Sequence, residues 1–579
     1  MINNFIIEVG KIAFVRSIKE VSEKSYCFNY YLNIFKTEIS VQNKNISLFV
    51  CVPPKWELDL VDIYIENYQL LKFIPHVESN GKICLFEKEG ILIDKNLLGI
   101  TIQSLYRAEK ILKDGLLGKN SEDFINEFEI YWGNLPNRGA VEFVRPNCGK
   151  SQNVKCAFRR NPSLKTEKNT NFTNKIKKGI YYIAKNAFEL ERWKLKNSPI
   201  LNAAYFVINA SSYIFPPDYR NNVSADYLNG LLKLIDKKIG SKILSKLGRE
   251  KVIIFQINQI NNKVNYLGFF IKEGNIVEFG ETLLLDQIEY IQPLVVRRAD
   301  REYLLTRTAC SNTDFKKKIL VIGCGSIGGY LINELVKEGF SNLIIVDDDC
   351  LCNENIFRHL LGLEYVSQKK CFALKKYLTN NIPDIHIEAI DKKIEDILLF
   401  NEIDLKEFDL IFSATGNHNV NRWLNKYINE NRILTPAIYL WNEVYGIGNH
   451  VAYFKYNYQG CYDCLFDRNE DNGELYDRSS YCKDGQKISL NVHGCDKSFI
   501  PYGNTVSLKT VTMCMDIVEE VLNNEIRENF ILSAKGNDNY FKKQGLKVSK
   551  RYENQVEKYK RIIGKHLINT SCEVCYGNK

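Results

Sequence analysis

Hydrophobic and polar positions follow different rhythms in different parts of this chain, and each rhythm predicts its own elements. Between residues 49 and 94, short apolar runs broken by polar and Pro positions read as strands. Residues 97–118, LLGITIQSLYRAEKILKDGLLG, carry the 3.6-residue spacing of an amphipathic helix, and FINEFEIYW at 124–132 continues in helical style. Residues 251–272, KVIIFQINQINNKVNYLGFFIK, read as two strands joined by a turn at Asn261-Asn262. From Lys318 to Asp349 the order is apolar run, glycine loop, amphipathic helix, second apolar run and carboxylates. A long helical pattern follows the Pro501-Tyr502-Gly503 turn.

The Lys318–Asp349 pattern carries specific chemistry. Gly323, Gly325 and Gly328 fit G-x-G-x-x-G after a strand and at the opening of a helix, where backbone amides face phosphate oxygens. Asp347, at the end of the next strand, is placed for ribose hydroxyls. That much also suits a nicotinamide dehydrogenase. Asp349, Asn355, Arg358 and Lys370 do not belong to such a site; their guanidinium and ammonium groups suit a triphosphate during nucleotidyl transfer.

Cysteine usage adds a second chemistry. There are 17 cysteines in 579 residues, an odd count that argues for free thiols in a reducing compartment. Cys461/Cys464 and Cys572/Cys575 form two C-x2-C pairs, each able to give two thiolates to one Zn2+ or to be ordinary buried cysteines. Cys495 lies in a short loop before the long helical pattern, with Cys482 as the second candidate for an exposed nucleophile and Cys514 expected to be buried. Near the N-terminus, Pro75-His76-Val77 is followed by G-x-I-C-L, which places Cys84 eight residues after His76.

The length allows three or four domains. With 45% hydrophobic and 25% charged residues, wholesale disorder is excluded. No apolar stretch reaches about 18 residues, and residues 1–21 are charged and patterned unlike a leader, so a cytosolic protein without membrane contact is expected. Residues 151–197 hold 12 Lys plus Arg against 3 acidic residues. Without an aromatic-basic repeat or zinc-finger spacing, this reads as a solvated face or a dock for an acidic partner, and not as a nucleic-acid site.

From Phe315 to Cys575 the residues resemble the adenylation domains of the ThiF, MoeB and ubiquitin-activating superfamily. That resemblance implies ATP and Mg2+, with Gly323, Gly325, Gly328 and Asp347 holding the nucleotide and Asn355, Arg358 and Lys370 contacting its phosphates. It also implies a structural zinc on Cys461, Cys464, Cys572 and Cys575, acyl capture by Cys495, and a homodimer in which Arg358 is the first suspect for an arginine acting across subunits. One departure is Gly416, which stands where the family has a metal-side aspartate; Asp349 is then the carboxylate left to serve the metal.

The N-terminal segment resembles a ubiquitin-conjugating core, with Cys84 as its active cysteine and His76 in the place of the usual asparagine. The two halves together are similar to the fused activating and conjugating enzymes of CBASS antiphage operons. The expected fold class is α/β: a conjugating-like α+β domain at 1–118, a mixed α/β connector at 119–313 and a Rossmann-like adenylation domain at 314–579. The resemblance implies a partner whose C-terminal tail is activated, a cGAS/DncV-like nucleotidyltransferase or another ubiquitin-like protein, and its conjugation to target proteins. A sulfur-carrier adenylyltransferase, which has no need of Cys84, and a non-catalytic partner-binding scaffold are the other readings.

Overall fold

The computed structural model describes residues 2–575 apart from 22–29, 88–91, 147–148, 161–178, 192–194, 196–197, 307, 309–316, 471 and 492–497. The chain divides into two compact units, Met1–Ala299 and Asp300–Lys579.

The first unit opens with an antiparallel sheet of four strands in chain order, Val15–Glu20, Asn33–Val41, Lys44–Val52 and Asp62–Ile65. The period-two rhythm turns Phe35, Thr37, Ile39 and Val41 inward. Gln42 and Asn43 both take positive φ, the demand of a two-residue hairpin turn. The predicted amphipathic helix spans Leu97–Leu117 and buries Leu105, Ala108 and Leu112. It begins at Asn96, whose side chain accepts from the Gly99 amide, and ends at Gly118 in the left-handed region. Two short helices follow, Asp123–Asn126 and Phe128–Gly133.

The remainder of this unit is a closed seven-stranded barrel: Val264–Phe279, Thr282–Arg298, Gly139–Phe143, Gly179–Ala184, Gln152–Arg160, Leu201–Asn209, Glu250–Asn258 and back to the first. The hairpin around Asn261-Asn262 forms, with Glu250–Asn258 antiparallel to Val264–Phe279 and Asn262 at positive φ. Helices Ala225–Leu232 and Lys237–Leu244 complete its mixed character. Trp132 is buried and donates its indole N–H to the Leu294 carbonyl at 2.9 Å, so the short helices are fastened to the barrel.

The second unit is built on one eight-stranded sheet. In spatial order the strands are His386–Ile390, Asn342–Val346, Lys318–Ile322, Leu410–Ser413, Ala437–Asn442, Gly448–Phe454, Phe530–Lys535 and Tyr559–Ile563. The first five are parallel and the last three antiparallel. Helices Gly328–Lys337 and Asn504–Leu522 cover one face through Leu331, Leu335, Val511 and Ile517, while Ile394–Leu399 and His418–Glu430 cover the other through Ile397, Leu424 and Ile428. This is the Rossmann-like α/β arrangement expected from the sequence. Cys514 is fully buried in the long helix. Among the described residues no helix is long and apolar enough to cross a membrane.

Candidate functional site

Lys318–Ile322 lies between Asn342–Val346 on one side and Leu410–Ser413 on the other, so strand order reverses at its carboxyl end. In open parallel sheets a crevice forms at that point and receives ligands. The glycine turn sits there. Gly323 has φ +93°, and a Cβ on it would lie 2.9 Å from the Ala414 carbonyl. A Cβ on Gly328 would lie 1.8 Å from the Gly323 carbonyl oxygen, so helix and turn approach closely only because that atom is missing. At Gly325 an added Cβ meets nothing within 4 Å.

Asp347 braces this turn. One carboxylate oxygen accepts the Cys324 amide at 2.6 Å and the other the Asp349 amide at 2.9 Å. Burial raises its pKa from the ordinary value despite those hydrogen bonds and the charge of Lys370. Lys370, largely buried at the start of the helix Lys370–Asn381, reaches Asp349 at 2.8 Å. The Asn355 side chain accepts the Cys352 amide at 3.0 Å. Arg358 donates to the Ile500 carbonyl at 3.3 Å and lies over the rings of Phe499 and Tyr502, at 5.7 and 5.4 Å. Tyr502 in turn shares a 2.8 Å hydrogen bond with Ser326 of the glycine turn. Gly416 has φ +66° and open space around it.

Sequence reasoning missed His359. Its Nε2 lies 2.8 Å from the Cys324 carbonyl and its Nδ1 accepts the Leu361 amide at 3.0 Å, which fixes a neutral ring with the proton on Nε2. Burial lowers its pKa accordingly. The ring faces Gly329, where an added Cβ would stand 3.4 Å away. No spacing rule announces such a brace, since Cys324 lies 35 residues earlier.

The two C-x2-C pairs meet. Sulfur separations are 4.0 Å for Cys461–Cys464, 3.6 Å for Cys461–Cys572 and 3.3 Å for Cys464–Cys575, and all four sulfurs lie within 4.8 Å of one another. Four thiolates at 2.3 Å around one tetrahedral ion stand roughly 3.8 Å apart, so the donor set fits a metal ion. Hydrogen bonds within the cluster, first from Cys461, push Cys464 down and Cys572 to about 7.

Of the two nucleophile candidates nearby, Cys495 lies outside the described residues. Cys482 is buried; burial and the Glu443 carboxylate push it up to about 12, and its amide is held by Glu443 at 2.8 Å. Expected as the second choice for an exposed nucleophile, it is buried instead, with its amide held by the Glu443 carboxylate.

In the first unit, Cys84 is exposed. Its amide donates to the His76 carbonyl at 2.8 Å, and His76 takes the left-handed φ of +63°. The His76 ring is not isolated: Nε2 lies 3.0 Å from Asp123 and Nδ1 3.3 Å from Glu127. Tyr131 receives the His76 amide and donates to Glu127, both at 2.8 Å. Hydrogen bonding to Cys84, then to Glu127 and Asp123, raises His76 to about 10 against the cost of burial. Glu127 and Tyr131 had looked like part of an ordinary helical patch, and Asp123 had carried no assigned role.

Comparison with known proteins gives the same two halves. Residues 309–544 match the ThiF family and residues 17–141 match prokaryotic E2 family B. A Pseudomonas aeruginosa protein, ATP-dependent ubiquitin transferase-like protein Cap2, is 26% identical over 476 residues, covering 79% of this chain and 82% of the relative. The Escherichia coli Cap2 is 24% identical over 524 residues, covering 83% and 84%. The chain is a Cap2 homologue. It joins an E2 domain and a ThiF domain, and it is an ATP-dependent enzyme of the ubiquitin transferase-like class. Among solved structures, Escherichia coli MccB with MccA aligns at 17% identity and a TM-score of 0.32, covering 45% of this chain and 67% of that one.

Proposed function

We propose that this Cap2 homologue activates the C-terminal carboxylate of a partner protein with ATP, carries it as a thioester on Cys495 and then Cys84, and transfers it to amines of target proteins. One observation carries the reading: a glycine turn at the switch point of a ThiF-type sheet occurs in the same chain as an exposed cysteine in an E2-type loop. The resemblance to CBASS enzymes favours a cGAS/DncV-like nucleotidyltransferase tail as the carboxylate, in the cytoplasm.

In the first step a partner carboxylate oxygen attacks the α-phosphorus and pyrophosphate leaves. Gly323, Gly325 and Gly328 bring backbone amides against the phosphates, Asp347 takes the ribose, and Asn355, Arg358 and Lys370 balance the charge. Mg2+ supplies further charge neutralisation when bound. Gly416 offers no carboxylate, so Asp349 would hold that ion. The Cys495 sulfur then displaces AMP, forming a C–S bond as the C–O bond breaks, and the Cys84 sulfur displaces Cys495. Phe499, four residues after Cys495 in the sequence, has its ring against Arg358 beside the nucleotide crevice, which supports Cys495 as the capturing thiol. Zn2+ would be held by Cys461, Cys464, Cys572 and Cys575 and would tie residues 572–575 to 461–464. Phe357, 96% exposed, and Leu363, 73% exposed, are large apolar side chains that a homodimer would cover.

Peptide mass spectrometry of the protein from its native cells, with and without reductant, tests the relay. Thiol-labile adducts on both Cys84 and Cys495 that end in one partner sequence are expected. An adduct on Cys495 alone would replace the proposal with sulfur-carrier chemistry, and none on either would leave a partner-binding scaffold.

A further inference from the structure

His76 occupies a position with unusual demands. Its two ring nitrogens face two different carboxylates, Nε2 towards Asp123 at 3.0 Å and Nδ1 towards Glu127 at 3.3 Å. A neutral imidazole has one N–H and can satisfy only one of them, whereas an imidazolium donates from both nitrogens. The carboxylates come from outside the four-stranded domain, Asp123 from the helix Asp123–Asn126 and Glu127 from the junction with Phe128–Gly133. Tyr131 fixes Glu127 and the His76 amide together, and Tyr219 stacks on Tyr131 with ring centres 6.4 Å apart. Burial opposes charge on Glu127, but the hydrogen bond and charge of His76 lower its pKa. The backbone ties Cys84 to the same residue, its amide donating to the His76 carbonyl at 2.8 Å, and Cys84 is exposed.

We infer that Asp123 and Glu127 are positioning residues that keep His76 a cation, and that this cation is the catalytic group that stabilises the Cys84 sulfur as acyl groups leave it. The inference rests on Cys84 as the acyl-carrying cysteine. In the transfer the amine nitrogen attacks the thioester carbonyl carbon and the C–N bond forms. The C–S bond then breaks, its electron pair leaves with the Cys84 sulfur, and the amine proton passes to solvent. Throughout, the imidazolium keeps both protons on its two carboxylates, and its positive charge favours the sulfur as that atom gains the electron pair. A side-chain amide in this position could polarise an oxygen but would bring no positive charge to the departing sulfur. His76 stands in the left-handed region, where its backbone costs on the order of 1 kcal/mol or more, and the bonds to Tyr131 and Cys84 hold it there.

The groups facing His76 are Asp123, Glu127, Tyr131 and Cys84, so removing both carboxylates returns the ring to its ordinary titration near about 6.5. The test uses the full chain with Cys495→Ser, loaded at Cys84 by exchange with a peptide thioester of 2-mercaptoethanesulfonate. Discharge to free lysine is timed from pH 5.5 to 8.5 in the parent and in the Asp123→Asn/Glu127→Gln double variant. The ratio of parent to variant rates is expected to be near one at pH 5.5, where both rings are charged, and to rise to about tenfold by pH 8.5. His76→Asn is expected to be slowed at every pH without that trend. A ratio that stays near one, or a uniform deficit, would overturn the inference, since a merely structural pair gives no titration. NMR of the His76 ring keeps the two readings apart: signals unmoved from pH 6 to 8.5 in the parent and titrating in the variant establish the clamp. A parent that cannot be loaded at Cys84 would instead overturn the acyl-carrier reading.

Discussion

Gly328→Ala and Gly325→Ala make a paired test of how the glycine turn works. At Gly328 the new methyl would lie 1.8 Å from the Gly323 carbonyl oxygen, against a floor of about 3.0 Å for real Cβ contacts, and the obstacle is backbone that cannot rotate away. Turn and helix must separate by roughly 1 Å, more than the 1–3 kcal/mol typical of overpacking because no side chain can absorb it. A misplacement of about 1 Å costs on the order of 100-fold in rate. At Gly325 the methyl meets nothing and φ is not positive, so the fold should keep its stability, and the expected cost is a methyl crowding a phosphate held by the turn. ATP–pyrophosphate exchange with the partner tail and thermal melting read the two effects separately. Gly328→Ala should lower both the melting temperature and exchange by about 100-fold or more; Gly325→Ala should melt like the parent and lose only nucleotide affinity. A Gly328→Ala protein that exchanges and melts like the parent would refute the close-approach argument.

Cys572→Ser should drop metal content from about one zinc per chain to almost none and lower the melting temperature, as read by elemental analysis and calorimetry. His359→Ala should cost about 2 kcal/mol by leaving the Cys324 carbonyl and Leu361 amide without partners, measured by urea unfolding. Because burial depresses the His359 pKa, the unfolded chain binds a proton that the folded chain refuses, so stability is full above about 6.5 and falls as pH drops below it; His359→Asn should flatten part of that slope. Phe357→Asp should weaken self-association by roughly 10- to 100-fold, from about 1.5–3 kcal/mol of apolar burial, as read by light scattering across concentrations.

What could be read from the chain beforehand was what depends on local sterics. Gly323 and Gly328 stand where a side chain cannot fit, and such demands leave glycine at fixed spacing after a strand. The amphipathic helix Leu97–Leu117 and the Asn261-Asn262 hairpin were equally legible, because period and turn chemistry act over a few residues. The barrel was not. Gly139–Phe143 pairs in parallel with Thr282–Arg298, across more than a hundred residues, and no local pattern specifies a partner that distant. His359, Asp123 and Glu127 escaped notice for the same reason: each owes its role to one contact with a residue remote in sequence. Cys482, the second choice for an exposed nucleophile, illustrates the reverse error, since Glu443, remote in sequence, holds that segment inside.

Trp132 hands its indole proton to a carbonyl 162 residues further on, and this has a bearing on the order in which the protein is made. A ribosome that has delivered the first 133 residues has supplied Cys84, His76, Asp123 and Glu127, but not the strand that pins their supporting helices. That strand, Thr282–Arg298, is the last of the barrel and ends just before the second unit begins. At 5–20 residues per second, the usual pace of synthesis, roughly 8 to 30 seconds separate the two. During that interval Cys84 and His76 are already present while the strand that pins the neighbouring helices is not, so this part of the fold is completed only as the second unit starts to emerge.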